Sequence, residues 1–265
     1  MMDRIMKKRQ FAVAGLMLMA VAMTMTSCVG FWEKQNLFEG NHISETRHLK
    51  DFEEIEINGS PTVYYAQSDK FSIKVKGPEN WVKNIITEKI GNTLVIRNKG
   101  KIGVINVHFG EEDELAVYVT SPDLVGVQLN GSGDFISKGQ IDTDEMKIAL
   151  KGSGDIDIQD LICDRCDVQL IGSGDVGVDR LETNEVNARL IGSGDISMNL
   201  WKVRDTHLAL RGSGDIDVDF KQDCKSVDCE LNGSGDICLK GKIEHFSKQK
   251  HGSGDVDIAN LTIEK

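Results

Sequence analysis

Apolar and polar positions alternate along the second half of the chain, and the alternation restarts about every 20 residues. Each restart contains the tetrapeptide Gly-Ser-Gly-Asp, and successive copies begin 21, 20, 20, 20, 21 and 19 residues apart. This period-2 pattern of aliphatic and β-branched residues predicts short β-strands on both sides of the motif. The seven copies begin at Gly131, Gly152, Gly172, Gly192, Gly212, Gly233 and Gly252.

The fixed spacing predicts one structural unit stacked on itself. A unit of this size cannot bury its own apolar face, but stacking it on the next unit buries a continuous core. We therefore predict an all-β fold, a single-stranded parallel β-helix or solenoid with coils of about 20 residues. Its hand should be right, following the general rule for parallel crossovers. The apolar position before the motif is broken only at Lys250, in the last unit, as is typical of a terminal capping repeat.

Within the motif, both glycines share the inward phase with the core positions, while serine and aspartate share the outward phase. Two inward glycines predict a tight corner or two walls in close approach. Carboxylates ~4.8 Å apart repel by about 0.9 kcal/mol in water. We expect each aspartate to accept hydrogen bonds from N–H groups of its own turn and from the neighbouring serine hydroxyl. The two outer rows are Ser132, Ser153, Ser173, Ser193, Ser213, Ser234 and Ser253, and Asp134, Asp155, Asp175, Asp195, Asp215, Asp236 and Asp255.

The first half of the chain shows the same strand pattern without the strict motif. We interpret residues 45–125 as irregular early coils continuous with the GSGD coils of residues 126–265, so that 45–265 form one solenoid. A separate small β domain is the alternative for the earlier part. The segment from Pro78 to Ile90 is compatible with one helical turn or a long loop.

The N-terminus carries four basic residues followed by a short apolar run, which is typical of a secretory signal. The run ends in Met25-Thr26-Ser27-Cys28, which resembles the lipobox of bacterial lipoproteins. We predict cleavage of residues 1–27, a lipid on Cys28, and a tether over residues 28–44. Ordinary signal cleavage with Cys28 left as a thiol is the alternative. A lipid-anchored protein would lie in the bacterial cell envelope, on the outer membrane, facing either the surface or the periplasm.

The formal charge is −11, and loss of residues 1–27, which carry +3, leaves the mature chain at −14. Nucleic-acid binding relies on Lys and Arg neutralising phosphates, so this charge excludes it as a function.

Five cysteines follow Cys28, namely Cys163, Cys166, Cys224, Cys229 and Cys238. The odd number cannot all pair within one chain. A four-cysteine zinc site joining Cys163 and Cys166 to Cys224 and Cys229 would have to span roughly 14 Å, far more than a tetrahedral zinc shell. We expect structural thiols or one local disulfide. Cys229 falls at an apolar position of the repeat, so we expect its side chain to be buried in the core.

Calcium binding and polysaccharide cleavage are two more specific hypotheses for the repeats. The Gly-rich, Asp-bearing repeat is similar to nonapeptide motifs that bind Ca²⁺ between turns of a β-roll. Calcium needs six to eight oxygens, however, and one Asp and one Ser per coil supply few. An enzyme acting on acidic polysaccharides is the other alternative, but the even spacing leaves no room for the long loops that hold such sites. No catalytic residue, cofactor or metal ligand is therefore assigned.

Three features resemble one bacterial family: the opening Phe52, Ile55, Ile57 and Gly59, the strand 94–96, and the serial GSGD units. The family is called putative auto-transporter adhesin, head GIN domain, and the likeness spans roughly residues 52–258. It implies a parallel β-helix in an exported, often lipid-anchored protein, and it supplies no catalytic residues. The expected function is a non-enzymatic binding or structural module with an unknown protein or glycan partner, able to form homo-oligomers through the solenoid ends.

Overall fold

The computed structural model describes residues 41–100 and 115–264. The predicted signal sequence, Cys28 and most of the tether lie outside the described residues. Within those ranges no helix combines the length and apolar composition needed to cross a membrane. The elements are β1 (His42–Arg47), β2 (Glu54–Gly59), β3 (Thr62–Gln67), β4 (Ser72–Pro78), α1 (Glu79–Val82), β5 (Ile85–Ile90), β6 (Thr93–Asn98), β7 (Ala116–Ser121), β8 (Gly126–Gly131), β9 (Asp134–Asp142), β10 (Glu145–Gly152), β11 (Asp155–Ile162), β12 (Arg165–Gly172), β13 (Val176–Glu182), β14 (Glu185–Gly192), β15 (Ile196–Trp201), β16 (Asp205–Gly212), β17 (Ile216–Gly233), β18 (Ile237–Gly252) and β19 (Val256–Ile263).

The strands form two series, and each coil contributes one strand to each. The first series runs β6, β2, β8, β10, β12, β14 and β16 and ends in the second halves of β17 and β18. The second runs β7, β3, β9, β11, β13 and β15, then the first halves of β17 and β18, and finally β19. The pairs within both series are parallel, which gives a β-solenoid of about seven turns. The predicted fold class is confirmed, whereas its right hand stays a prediction.

The core consists of columns in which the same position recurs in every coil. Leu150 pairs in register with Leu129 on one side and Leu170 on the other. The leucines of this column are at most 1% exposed, and the residues that follow the motif aspartates are at most 3% exposed. Full burial of such a side chain contributes about 1.5–3 kcal/mol. Stacking therefore supplies the burial that a single coil lacks.

The N-terminal part stacks in an order that differs from the chain order. Strand β2 lies between β6 and β8, and β3 lies between β7 and β9. Beyond this layer β4 runs antiparallel to both β1 and β7, and β5 runs antiparallel to β6. The helical turn expected between Pro78 and Ile90 is present as α1. We call residues 41–100 and 115–125 the N-terminal cap, and residues 126–264 the array.

At the C-terminal end of the array, charged side chains replace apolar residues of the core columns. In β18, Lys248 pairs with Cys229 and Lys250 pairs with Leu231, so two core columns end in exposed lysines. The Lys250 ammonium donates a hydrogen bond to Asp255 Oδ1 at 3.2 Å. Lysines of this kind cover apolar surface with their methylene stems and keep an open sheet edge charged. The break at Lys250 therefore acts as the predicted cap.

Candidate functional site

The GSGD motif forms the corner that joins the two strand series. The first glycine of each copy has φ between +119° and +158°, which L side chains rarely adopt. The second glycine is buried, and a Cβ at Gly194 would lie 1.9 Å from the carbonyl oxygen of Gly174 in the preceding coil. The carbonyl of the first glycine is a shared acceptor, since Gly192 O accepts both Ser213 N–H at 2.9 Å and Gly214 N–H at 3.3 Å. The close approach predicted from the glycines therefore exists between successive coils.

The aspartate row is a ladder of hydrogen bonds along the stack. The Oδ1 of each of the first six aspartates accepts a hydrogen bond from the backbone N–H of the aspartate in the next coil. Six such bonds join all seven motif aspartates, so every coil interface of the array carries one. From Asp134–Asp155 to Asp236–Asp255 their lengths are 3.3, 3.0, 2.9, 2.9, 2.7 and 2.6 Å.

The expectation that each aspartate caps its own turn is wrong for the first six of these residues. The N–H of the aspartate points along the stack, and a coil spacing of ~4.8 Å brings it within reach of the preceding carboxylate. Within the described residues no coil is stacked beyond Asp255, and its Oδ1 accepts hydrogen bonds from Val256 N–H at 2.9 Å and from the Lys250 ammonium. A charge-assisted bond to the next coil offsets the repulsion within the row.

The serine row lies outside this ladder. The side chains of Ser132, Ser153, Ser173, Ser193, Ser213, Ser234 and Ser253 are exposed. In the described part of the chain none of the seven hydroxyls makes a side-chain hydrogen bond, so the expected bond from serine to aspartate is wrong. The structure therefore places a row of open hydroxyls beside a row of carboxylates.

Further carboxylates extend the acidic surface next to the row. Asp157 lies beside Gly177, where a Cβ would meet Asp157 Oδ1 at 3.1 Å. Partial burial, followed by the charges of Asp155 and Asp179, raises the pKa of Asp157. Among residues 41–100 and 115–264, no group of three or more His, Cys, Asp or Glu side chains is arranged to hold a metal ion. Calcium along the aspartate row stays a hypothesis.

Three partly exposed aromatic rings among the described residues, those of Tyr64, Tyr118 and Trp201, pack against neighbouring side chains. Tyr64 and Tyr118 stack with ring centroids 5.3 Å apart, and Lys76 lies 5.3 Å from the centroid of Tyr118. Arg180 lies 5.6 Å from the ring centroid of Trp201 and also pairs with Asp160 and Glu182. We therefore assign these rings a role in stabilising the fold rather than in stacking against sugars.

A second corner follows each strand of the second series, and sequence reasoning missed its repeated feature. Thr143, Cys163 and Thr183 occupy the same place in successive coils and line a groove of about 260 Å³. Thr183 Oγ1 donates to the carbonyl of Glu185 two residues later, at 3.2 Å. The Cys163 thiol lies 3.7 Å from Thr183 Oγ1. A Thr or Cys recurring every 20 residues was the available signal.

The five described cysteines are thiols in this structure. Cys229 pairs with Leu208 and is 2% exposed, so its predicted burial in the core is confirmed. Burial raises the pKa of Cys229 to about 12 and that of Cys224 to about 11. Cys163 and Cys166 hydrogen-bond to each other; this bond lowers the pKa of Cys163 and, together with burial, raises that of Cys166.

Comparison with known proteins agrees with this architecture. The crystal structure of a putative adhesin from Bacteroides fragilis superposes with a TM-score of 0.74 and 29% identity, covering 82% of this chain and 96% of that one. A putative lipid binding protein from Parabacteroides distasonis gives 0.64 and 25%, covering 83% and 98%. A putative adhesin from the same organism gives 0.62 and 22%, covering 82% and 97%, and shares the fold.

No curated protein matches the chain. The family model that matches covers residues 51–223. This range includes β2 to β16, and with them most of the N-terminal cap and five of the seven GSGD corners. The corners, the leucine column and this match together place the chain in the family described as putative auto-transporter adhesin, head GIN domain.

Proposed function

We propose that the chain is a non-enzymatic binding module of the bacterial cell envelope, held on the outer membrane by a lipid on Cys28. Its binding surface is the pair of outer rows formed by the motif serines and aspartates. The observation that carries the proposal is the row of exposed serine hydroxyls, repeated once per coil beside a row of carboxylates, that make no side-chain hydrogen bond within residues 41–100 and 115–264. The adhesin descriptions of the family and of two structural relatives support it.

The chemistry of the rows favours a partner rich in hydrogen-bond donors. Carboxylates only accept hydrogen bonds, and serine hydroxyls both donate and accept. A glycan presents hydroxyls that complement both groups, and a protein can present amides or ammonium groups. Because Tyr64, Tyr118 and Trp201 already pack against neighbouring side chains, we expect hydrogen bonds rather than ring stacking to dominate recognition.

A glycan array probed with residues 29–265 tests binding, and a panel of envelope and host-surface proteins forms its second arm. The diagnostic variant replaces Ser173, Ser193 and Ser213 by Ala. Each lost hydrogen bond costs about 0.5–1.5 kcal/mol, so affinity should fall roughly tenfold or more. The matched control replaces Gln169, Gln222 and Gln249, which are exposed, by Ala and should bind as the parent does. If no ligand bound in either arm, the binding proposal would be rejected and the protein would have a purely structural role.

Anchoring and exposure need experiments on cells. Cys28→Ser should abolish incorporation of a labelled fatty acid and move the protein from the membrane fraction to the soluble fraction. Protease treatment of intact cells should cleave the protein if it faces the surface. A protein that is protected until the outer membrane is permeabilised faces the periplasm and cannot act as an adhesin.

A further inference from the structure

The two thiols of the second corner of one coil carry an inference independent of what the outer surface binds. Cys163 and Cys166 are three residues apart, both face inward, and their sulfurs are within hydrogen-bonding reach. Cys163 is 6% exposed and lines the groove of about 260 Å³, whereas Cys166 is fully buried. A reagent in the groove can therefore meet Cys163 before Cys166.

We propose that Cys163 and Cys166 are a redox-active pair that closes a disulfide bond when the protein meets an oxidising disulfide. Exported proteins encounter such oxidants, and disulfides persist in those compartments. The Cys163 thiolate attacks one sulfur of the oxidant, and a mixed disulfide forms while one thiolate leaves. Cys166 then attacks Cys163 Sγ and releases the second thiolate. Two S–H bonds are replaced by one S–S bond, and the oxidant takes up two electrons and two protons.

The order of attack follows from the environment of each sulfur. The hydrogen bond from Cys166 lowers the pKa of Cys163, which favours the nucleophilic thiolate at the accessible position. The same bond and complete burial raise the pKa of Cys166. Cys166 is therefore the resolving thiol, because it can react only with a sulfur already attached to Cys163.

The other cysteines provide an internal comparison. Cys224 occupies a related corner, but its thiol contacts Thr206 Oγ1 and the carbonyl oxygens of Arg204 and Ser226. Cys229 is buried in a separate column five residues later. Cys238 is partly exposed on the outer face. Burial is the first cause of the raised pKa of each of these three thiols, so we expect them to stay reduced.

The test incubates folded residues 29–265 with glutathione disulfide, unfolds the protein without reductant in the presence of an alkylating reagent, and maps the peptides by mass spectrometry. We expect Cys163 and Cys166 to escape alkylation and to appear as one cross-linked peptide two hydrogens lighter. Cys224, Cys229 and Cys238 should be alkylated. Alkylation of all five cysteines, or a cross-link involving a different pair, would overturn the proposal.

Two variants separate the roles of the pair while keeping residues that the same columns already contain. Cys166→Val, as at Val186, should leave Cys163 trapped as a mixed disulfide with glutathione. Cys163→Thr, as at Thr183, should leave Cys166 without an adduct because no reagent reaches it. An adduct on Cys166 in the second variant, with circular dichroism unchanged, would contradict the assigned order.

Discussion

The corner of the N-terminal cap and the corners of the array share one backbone path but differ in what they require of the sequence. Residues 59–62, Gly-Ser-Pro-Thr, stack in register on residues 131–134, Gly-Ser-Gly-Asp. Gly59 keeps a positive φ of +118°, as the first glycines of the array do. A Cβ at Gly59 would lie 3.4 Å from the Asn98 side chain, an ordinary contact, whereas one at Gly131 would lie 2.1 Å from Gly59 O.

This comparison separates two causes of the repeated glycines. The turn itself demands the first glycine through its φ, and this holds in both regions. The preceding coil excludes a Cβ at both glycines of the array, since Gly133 would meet the Pro61 carbonyl oxygen at 2.3 Å just as Gly131 would meet that of Gly59. Pro61 itself occupies the second position in the cap. Strict repetition of GSGD is therefore a consequence of stacking identical corners.

The largest expected effect is from Gly194→Ala in the middle of the array. Its Cβ would collide with backbone at 1.9 Å, and neither coil can move without disturbing the ladder. We expect a loss of more than about 4 kcal/mol or failure to fold. Gly91→Ala in the cap, where φ is +62° and no atom lies within 4 Å, should cost only about 1–2 kcal/mol. Thermal unfolding followed by circular dichroism measures both, and equal losses would contradict the stacking argument.

A smaller effect is expected from the aspartate ladder. Asp195→Ala leaves Asp215 N–H without its acceptor and should cost about 1–2 kcal/mol. Asp195→Asn keeps an acceptor oxygen and should recover part of that loss. The control is Asp179→Ala, since Asp179 is exposed and its carboxylate accepts no hydrogen bond in the described part of the chain. Urea unfolding ranks the three variants, and faster hydrogen exchange at the Asp215 amide in Asp195→Ala alone would locate the broken bond.

Removing the two lysines at the C-terminal end of the array should affect assembly more than stability. Replacing Lys248 and Lys250 by Leu extends two core columns to the open edge of the last coil. Sedimentation velocity should then show association that increases with concentration. The parent protein should not associate through this end, so any homo-oligomer formed through a solenoid end would use the other one. If the double variant stayed monomeric, the lysines would not be what prevents association through this end.

The smallest effect is expected from calcium. Each ladder carboxylate already uses one oxygen on a neighbouring N–H, and the described residues contain no ready metal cluster. Adding calcium to chelated protein should leave the melting temperature unchanged. A rise that Asp175→Asn and Asp195→Asn together abolish would instead support the calcium-binding solenoid.

The array could be predicted from the sequence because its columns repeat in it. The leucine column, the apolar residue after each aspartate and the inward glycines all follow from period-2 alternation aligned on the motif. The break at Lys250 was visible for the same reason. These features depend only on which face of a strand a residue occupies.

The cap and the ladder could not be predicted in the same way. The pairing of β6 with β2 joins strands that are distant in the sequence, and no local pattern predicts it. The first corner was not recognised because Pro61 and Thr62 replace the second glycine and the aspartate of the motif. Whether an aspartate bonds its own turn or the next coil depends on the direction of an N–H relative to the stack, which alternation does not define. The Thr and Cys of the second corner did carry a 20-residue signal, but one weaker than GSGD.

The ladder bond joins the same residue type at every step, so the contact between two coils does not depend on their position in the array. Deleting or duplicating one whole unit would bring an aspartate carboxylate against an equivalent N–H and a leucine against a leucine. Proteins built in this way can change length in single-coil steps by recombination between repeats, while the cap and the lysine end stay constant. The number of coils, and with it the length of the solenoid, is then free to vary during evolution.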